Sequence, residues 1–294
     1  MSNNELLKFK KNVFSQSGED GIVHEIFKRI QRGGVKLDKK CCEFGAWDGI
    51  HLSNTYNLIK NSNYQAVLIE GDKKKFAQLT DNIPDKSIIK INKFVELAGK
   101  NKLDNILKKC KFPRNFDFLS IDIDGNDYHI FEGLDVYKPK LICIEFNPTI
   151  PNEVNYSQKA NMSVNQGSSA LALIELAQKK LYSPVVATAY NLFFIKNTLK
   201  KYVIKNKNYK INDLINEKNK NFVFVGYDGS IITTKQLILP WHGIIIKKIT
   251  FLPRFLEEYP GNYNIFKKIM LIFFRFYANP FRYLFYFKKH SKKN

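Results

Sequence analysis

Three apolar runs, Val67–Ile69, Phe118–Ile121 and Leu141–Ile144, constrain this chain most. Runs so short and so nearly continuous suit strands covered on both faces, the condition of a parallel sheet sandwiched by helices. Around them the pattern alternates. KKCCEFGA, YQAVLIEGD, SIIKINKFV, FDFLSIDID and PKLICIEFN read as strands; SNTYNLIKNS, KKKFAQLTDNI, LDNILKKC, YHIFEGL and SSALALIELAQKKL read as helices. Such alternation predicts an α/β domain. Ahead of the first strand, a polar turn, SQSGED, opens an amphipathic helix. Its Ile22, Val23, Ile26, Phe27 and Ile30 follow a 3.6-residue period, and Gly33-Gly34 ends it. SPVVATA and NLFFIKN are two further strands. Tyr190 and Asn191 alone separate their apolar cores, a hairpin spacing that predicts an antiparallel strand at one sheet edge.

Composition bounds the rest. A length of 294 residues allows one large domain or one domain with an appendage, and 44% hydrophobic with 25% charged residues excludes a disordered chain, a collagen and a polytopic membrane protein. Four Cys occur, two of them adjacent (Cys41 and Cys42), with no CxxC spacing, so neither a disulfide framework nor a zinc site is expected. The first residues, MSNNELLKFKKN, lack the apolar core of a signal peptide, and the expected location is cytoplasmic. The formal charge of +20 favours an anionic neighbour: nucleic acid, a membrane surface or a phosphorylated substrate. A lysine-rich composition spread over solvated faces would give the same number. Residues 196–220 read as a Lys- and Asn-rich surface excursion, followed by a short strand and turn in FVFVGYDG. Residues 261–294 carry 8 Lys/Arg, no Asp or Glu, and 11 aromatic residues. Their longest apolar run, Ile269–Phe274, is too short to span a bilayer. Peripheral contact with the inner face of a membrane is the expectation. Packing on the core, an oligomer contact or a nucleic-acid contact through stacked bases are the alternatives.

In open parallel sheets, ligands bind beyond the carboxyl ends of the strands. The first strand delivers Glu43-Phe44-Gly45-Ala46-Trp47-Asp48-Gly49 there, which is neither GxGxxG nor a phosphate loop. The second ends in Glu70-Gly71-Asp72, and an acid at that position can accept both hydroxyls of a ribose. Together the two signals point to an adenosine cofactor without a pyrophosphate. The fourth strand ends in Asp122, Asp124 and Asp127, with His129 beyond; the fifth ends in Glu145-Phe146-Asn147-Pro148. Acids gathered so closely need a cation, a cationic ligand or a lysine to offset their repulsion. Asp122, Glu145 and Asn147 are candidate ligands for magnesium or manganese. A calcium loop is excluded, because the acids follow a strand and the twelfth-position Glu is absent.

SQSGEDGIVHEIF, CCEFGAWDGIHLSNTYNLI, LIEGD, FDFLSIDIDGNDYHIFEGL, ICIEFNP and GSSALALIELAQKKLYSPVVATAYNLFFIKN together resemble the FkbM-type S-adenosylmethionine-dependent methyltransferases over approximately residues 13–197. The resemblance implies a Rossmann-like class I methyltransferase: α/β, a mostly parallel seven-stranded sheet with an antiparallel edge strand, here followed by a basic aromatic helical tail. It implies a methyltransferase domain, at 1–197; the residues beyond it read as an extension at 198–260 packing on or near the core and the tail at 261–294. It implies S-adenosylmethionine as cofactor, held by Gln16, Gly18, Asp20, Glu43, Gly45, Asp48, Glu70 and Asp122. Glu19 belongs to the same N-terminal block, and Trp47-Asp48 departs from the commoner Asn of the first motif. A hydroxyl acceptor would need a general base, for which Asp122 or Asp124 is expected, with His129 as the alternative. The resemblance further implies O-methylation of a sugar or glycan precursor. An RNA methyltransferase, or a degenerate domain that binds nucleic acid, is the alternative; the absence of Asn-Pro-Pro-Tyr after the fourth strand speaks against base methylation.

Overall fold

The computed structural model describes residues 4–205, 207–216, 221–239, 242–246 and 249–279. The alternation in the sequence becomes α1 (Glu19–Arg32), β1 (Lys40–Phe44), α2 (Tyr56–Ser62), β2 (Gln65–Glu70), α3 (Lys73–Asn82), β3 (Ile89–Asn92), α4 (Leu103–Lys109), β4 (Phe118–Ile121), α5 (Asp127–Glu132), β5 (Leu141–Glu145), α6 (Ala170–Lys179), β6 (Tyr182–Ala187) and β7 (Asn191–Lys196). These seven strands form one sheet in the order β3-β2-β1-β4-β5-β7-β6. All pairs from β3 to β5 are parallel, and β7 runs antiparallel to both β5 and β6. The expected hairpin therefore closes that edge.

The sheet divides the core by residue parity, as pleating requires. Cys42, Phe44, Val67, Ile69, Leu119 and Ile121 face the helices α4, α5 and α6. Cys41, Ala66, Leu68, Phe118 and Cys143 face α1, α2 and α3. Both faces are covered, which is why β2, β4 and β5 carry no charged residue before their last positions. The periodic residues of α1 are all buried, and the four cysteines are free thiols.

The chain divides into two compact units, 1–219 and 220–294. Residues 198–216 belong to the unit that holds the sheet. The helices α7 (Lys200–Ile204) and α8 (Ile211–Leu214) bury Val203, Ile204 and Leu214 in the two cores. A surface excursion was the expectation there; three apolar residues among many lysines anchor it. The second unit holds two short antiparallel pairs, β8 (Val223–Val225) with β9 (Ile231–Thr233) and β10 (Leu237–Leu239) with β11 (Ile244–Ile246), and the helix α9 (Ile265–Ala278). Among the described residues no helix is long and apolar enough to cross a membrane. The last part of the tail, 280–294, lies outside the described residues.

Candidate active site

Strand order reverses between β1 and β4, so the crevice lies beyond the carboxyl ends of these two strands. Gly45 sits at its floor. With φ +82° it leaves β1 in a left-handed conformation, and a Cβ there would stand 1.7 Å from the carbonyl oxygen of Asp122. Glycine at this position lets the two chain segments touch.

Glu43 is 4% exposed. Its carboxylate accepts hydrogen bonds from Ser53 Oγ (2.5 Å), Thr55 Oγ1 (2.7 Å) and the Asn54 amide (2.7 Å). Asn54 in turn donates to Ser120 Oγ on β4 at 3.0 Å. Glu43 therefore ties the 53–55 turn over the strand ends. Burial raises its pKa against the opposing effect of these donors. At the end of β2, Glu70 accepts from the amides of Trp47 (2.9 Å) and Asp72 (2.7 Å), one on each oxygen, which leaves further lone pairs on both. Asp48 accepts from the amides of Ile50 and His51, shaping the turn after β1.

The N-terminal block adds a second layer of acids. Asp20 Oδ2 accepts from three successive amides, Val13, Phe14 and Ser15, each at 2.8 Å, and so curls that segment around the start of α1. Glu19 is fully buried; it accepts from Thr188 Oγ1 at 2.6 Å and Asn191 Nδ2 at 3.3 Å, beside the β6–β7 hairpin. Gly18 starts the helix at φ +96°. Gln16 is exposed, and its carbonyl accepts from Asn12 Nδ2 at 2.9 Å.

Beyond β4, Asp127 is buried and accepts from the amides of Ile123 and Gly125, both at 2.9 Å. Burial pushes its carboxyl up to about 6 despite these donors. Burial, then the charges of Asp127, Asp124, Glu43 and Glu19, push Asp122 up to about 8. Burial and then the charge of Asp122 push Glu145 up to about 10. Asp124 is exposed, at φ +58°. Carboxylate oxygens of Asp122, Asp124 and Glu145 lie within 4.8 Å of one another. Asn147, the other candidate ligand, has its Oδ1 accepting from the Thr149 amide and hydroxyl. His129, the alternative base, has Nε2 2.7 Å from the Gln158 carbonyl and Nδ1 3.4 Å from Glu132, so both ring nitrogens are engaged. With Asn126, which donates to the Asn161 carbonyl at 3.0 Å, it fastens the 158–164 loop onto α5.

Several contributors escape sequence reasoning. Ser53, Thr55, Thr188 and Asn191 lie within the quoted blocks, but no role is legible for them there; only the fold brings them to Glu43 and Glu19. Phe94, two residues past β3, is 67% exposed and its ring fills the space a Cβ on Gly71 would need, beside Glu70. An aromatic at the end of an apolar strand reads as core, which hides it.

Residues 59–182 match the family described as methyltransferase FkbM domain. Over these residues the chain is similar to an FkbM methyltransferase domain. The match contains Glu70, Asp122, Asp124, Asp127 and Glu145, and the sheet around them has the expected class I arrangement. No curated protein matches the sequence. Solved structures with a similar arrangement include the METTL16 methyltransferase domain, with 13% identity, TM-score 0.38, and 59% of this chain and 65% of that one covered. A SAM-dependent methyltransferase from Aquifex aeolicus has 10% identity and TM-score 0.34, covering 58% and 89%. An S-adenosylmethionine-dependent methyltransferase from Clostridium acetobutylicum has 8% identity and TM-score 0.37, covering 61% and 90%. The chain spans less than two thirds of the METTL16 domain's length.

The candidate site fits a cationic ligand. Among the described residues no Lys or Arg forms an ion pair with Glu19, Asp20, Glu43, Glu70, Asp122, Asp124, Asp127 or Glu145. Two buried acceptors, Asp20 Oδ1 and Asn191 Oδ1, have no hydrogen-bond partner. So many unbalanced acids and orphaned acceptors suit a ligand that brings positive charge and N–H donors.

Proposed function

We propose that the chain transfers a methyl group from S-adenosylmethionine to a hydroxyl of a sugar or glycan precursor. The carrying observation is the uncompensated carboxylate cluster at the ends of β1, β2, β4 and β5. Bound there, the cofactor would supply a methyl group on a cationic sulfur, already activated for in-line attack. The remaining work falls to side chains. Glu70 accepts the ribose hydroxyls through its free lone pairs. Glu19, Asp20 and Asn191 take the ammonium end. Asp122 accepts the proton of the attacking hydroxyl, and a carboxyl pushed up to about 8 is basic enough to share that proton near neutral pH. Glu43 positions the 53–55 turn without touching substrate. The sugar is supported by the family resemblance, and the basic surplus of the chain suits an acceptor that bears phosphate.

A second reading of the acid cluster is favoured by the mutual approach of Asp122, Asp124 and Glu145. These oxygens suit magnesium or manganese, which would hold the acceptor hydroxyl and lower its pKa.

Calorimetric titration with S-adenosylmethionine and S-adenosylhomocysteine tests the cofactor site. Binding is expected, and Glu70→Ala should weaken it roughly tenfold or more. No binding by folded protein, or full binding by the variant, would overturn the assignment. Methyl transfer to a panel of glycans and to RNA, with and without magnesium, then tests the acceptor. Asp122→Asn should keep cofactor binding and lose transfer by roughly 100-fold or more. Transfer to RNA alone would replace the glycan reading.

A further inference from the structure

The helix α9 is amphipathic in an unusual way: both of its faces are apolar. Met270, Leu271 and Phe274 are half-buried, and Lys267 on the same side pairs with Glu258 at 2.8 Å. The start of the helix packs within the second unit, where Phe255 lies 6.4 Å from Phe266 and Tyr263, just ahead of the helix, donates to the Leu256 carbonyl. The opposite stripe, Ile265, Ile269, Ile272 and Phe276, recurs at helical spacing and is open, with exposures of 78%, 47%, 44% and 49%. Phe273, beside it, is 65% exposed. Lys268 and Arg275 are exposed along its flank, and α9 contains no acid.

We propose that this stripe rests on an anionic lipid bilayer, with Ile265, Ile269, Ile272 and Phe276 in the acyl boundary and Lys268 and Arg275 at the headgroups. Three observations select that occupant. The first is charge: residues 220–294 contain 13 Lys/Arg and 3 Asp/Glu, so the unit is drawn to an anionic surface. The second is chemistry. A second copy docked two-fold would bring the same cations together. A nucleic acid would meet the cations but leave the isoleucines uncovered, since stacking needs aromatic planes. A bilayer satisfies both, with long basic side chains reaching from the apolar stripe to the phosphates. The third is length: 14 residues extend roughly 21 Å, short of a bilayer core, so the helix lies along the surface.

The test is co-sedimentation of the full chain with phosphatidylcholine vesicles, with and without phosphatidylglycerol, at low and high salt. Binding is expected only with phosphatidylglycerol, and should fall as salt rises. The double variant Ile272→Asp with Phe276→Asp should lower the bound fraction roughly tenfold, as should Lys268→Glu with Arg275→Glu. Unchanged thermal melts and S-adenosylhomocysteine binding would show that both variants remain folded. Absence of vesicle binding, equal binding to neutral vesicles, or binding that both variants retain would each overturn the proposal. So would a dimer in sedimentation equilibrium that the apolar variant abolishes while vesicles bind nothing, or RNA retention that the charge variant abolishes while vesicles bind nothing.

Discussion

The two units treat large apolar residues in opposite ways. In the first, phenylalanines such as Phe116, Phe131, Phe193 and Phe194 are wholly enclosed between sheet and helices. In the second, among the described residues, twenty large apolar side chains are exposed, and only Leu256 and Tyr263 are buried. The first unit, though far longer, exposes eleven. A sheet covered on both faces gives its apolar residues somewhere to go; two-stranded ribbons and one helix do not. The first unit thus owes its stability to its own burial, while the apolar surface of the second is available to something outside it.

Single truncations should show the contrast most strongly. Phe194→Ala removes a fully buried ring on β7 and should cost about 3–5 kcal/mol in urea denaturation. Phe273→Ala, on the open side of α9, should change stability by less than about 0.5 kcal/mol. Equal costs would mean that α9 is buried in solution and that the contrast is false.

Glycines sharpen the same comparison. Gly45 and Gly243 both have left-handed backbones, at φ +82° and +62°. A Cβ on Gly45 would collide with the Asp122 carbonyl, whereas nothing lies within 4 Å of one on Gly243. Gly243→Ala should therefore cost only the conformational penalty, about 1 kcal/mol. Gly45→Ala should cost about 2 kcal/mol or more beyond that, and should abolish cofactor binding by pushing β1 and β4 apart. A Gly45→Ala protein with normal stability and affinity would show that the crevice floor is compliant.

What was legible in the sequence follows from range. The strands β2, β4 and β5 show as apolar runs because burial on both faces removes every polar alternative, and the acids at their ends stand out for that reason. Glu70 and Asp122 stand out as candidates in this way. Roles that depend on partners far along the chain were hidden. Glu19 reads as one more helix-start acid until Thr188 and Asn191 reach it from the hairpin. The structural part of Glu43 shows only when Ser53, Asn54 and Thr55 are seen on its oxygens. The part of His129 in holding the 158–164 loop shows only when Gln158 is placed against it. Residues 198–216 read as solvated because lysines outnumber Val203, Ile204 and Leu214, yet those three suffice to fix the segment to the core.

The dependence of stability on pH also separates the two units. Asp122, Asp127 and Glu145 are pushed up to about 8, about 6 and about 10 from ordinary values of 3.8 and 4.5. A carboxyl with a raised native pKa keeps its proton after the unfolded chain has released it. The native state then binds more protons than the unfolded state, and stability falls as pH rises from about 4 towards about 8; below that window the contribution is complete. Carboxyls shifted the other way, such as Glu5 beside Arg29 and Asp135 beside Lys102, titrate below the window and do not mask the trend. The second unit supplies only Asp228, Glu257 and Glu258, so the slope belongs to the first. Urea midpoints measured without cofactor should decline between about pH 5 and about pH 8, by on the order of 1 kcal/mol per pH unit for each group protonated only in the native state. Asp122→Asn removes one such group and relieves its neighbours, so its profile should be flatter and its stability at the upper end higher than that of the parent. A parent stability that rises across this range, or an Asp122→Asn profile parallel to it, would mean that the acids of the crevice are already balanced in the free protein, and the argument for a cationic occupant would lose its electrostatic basis.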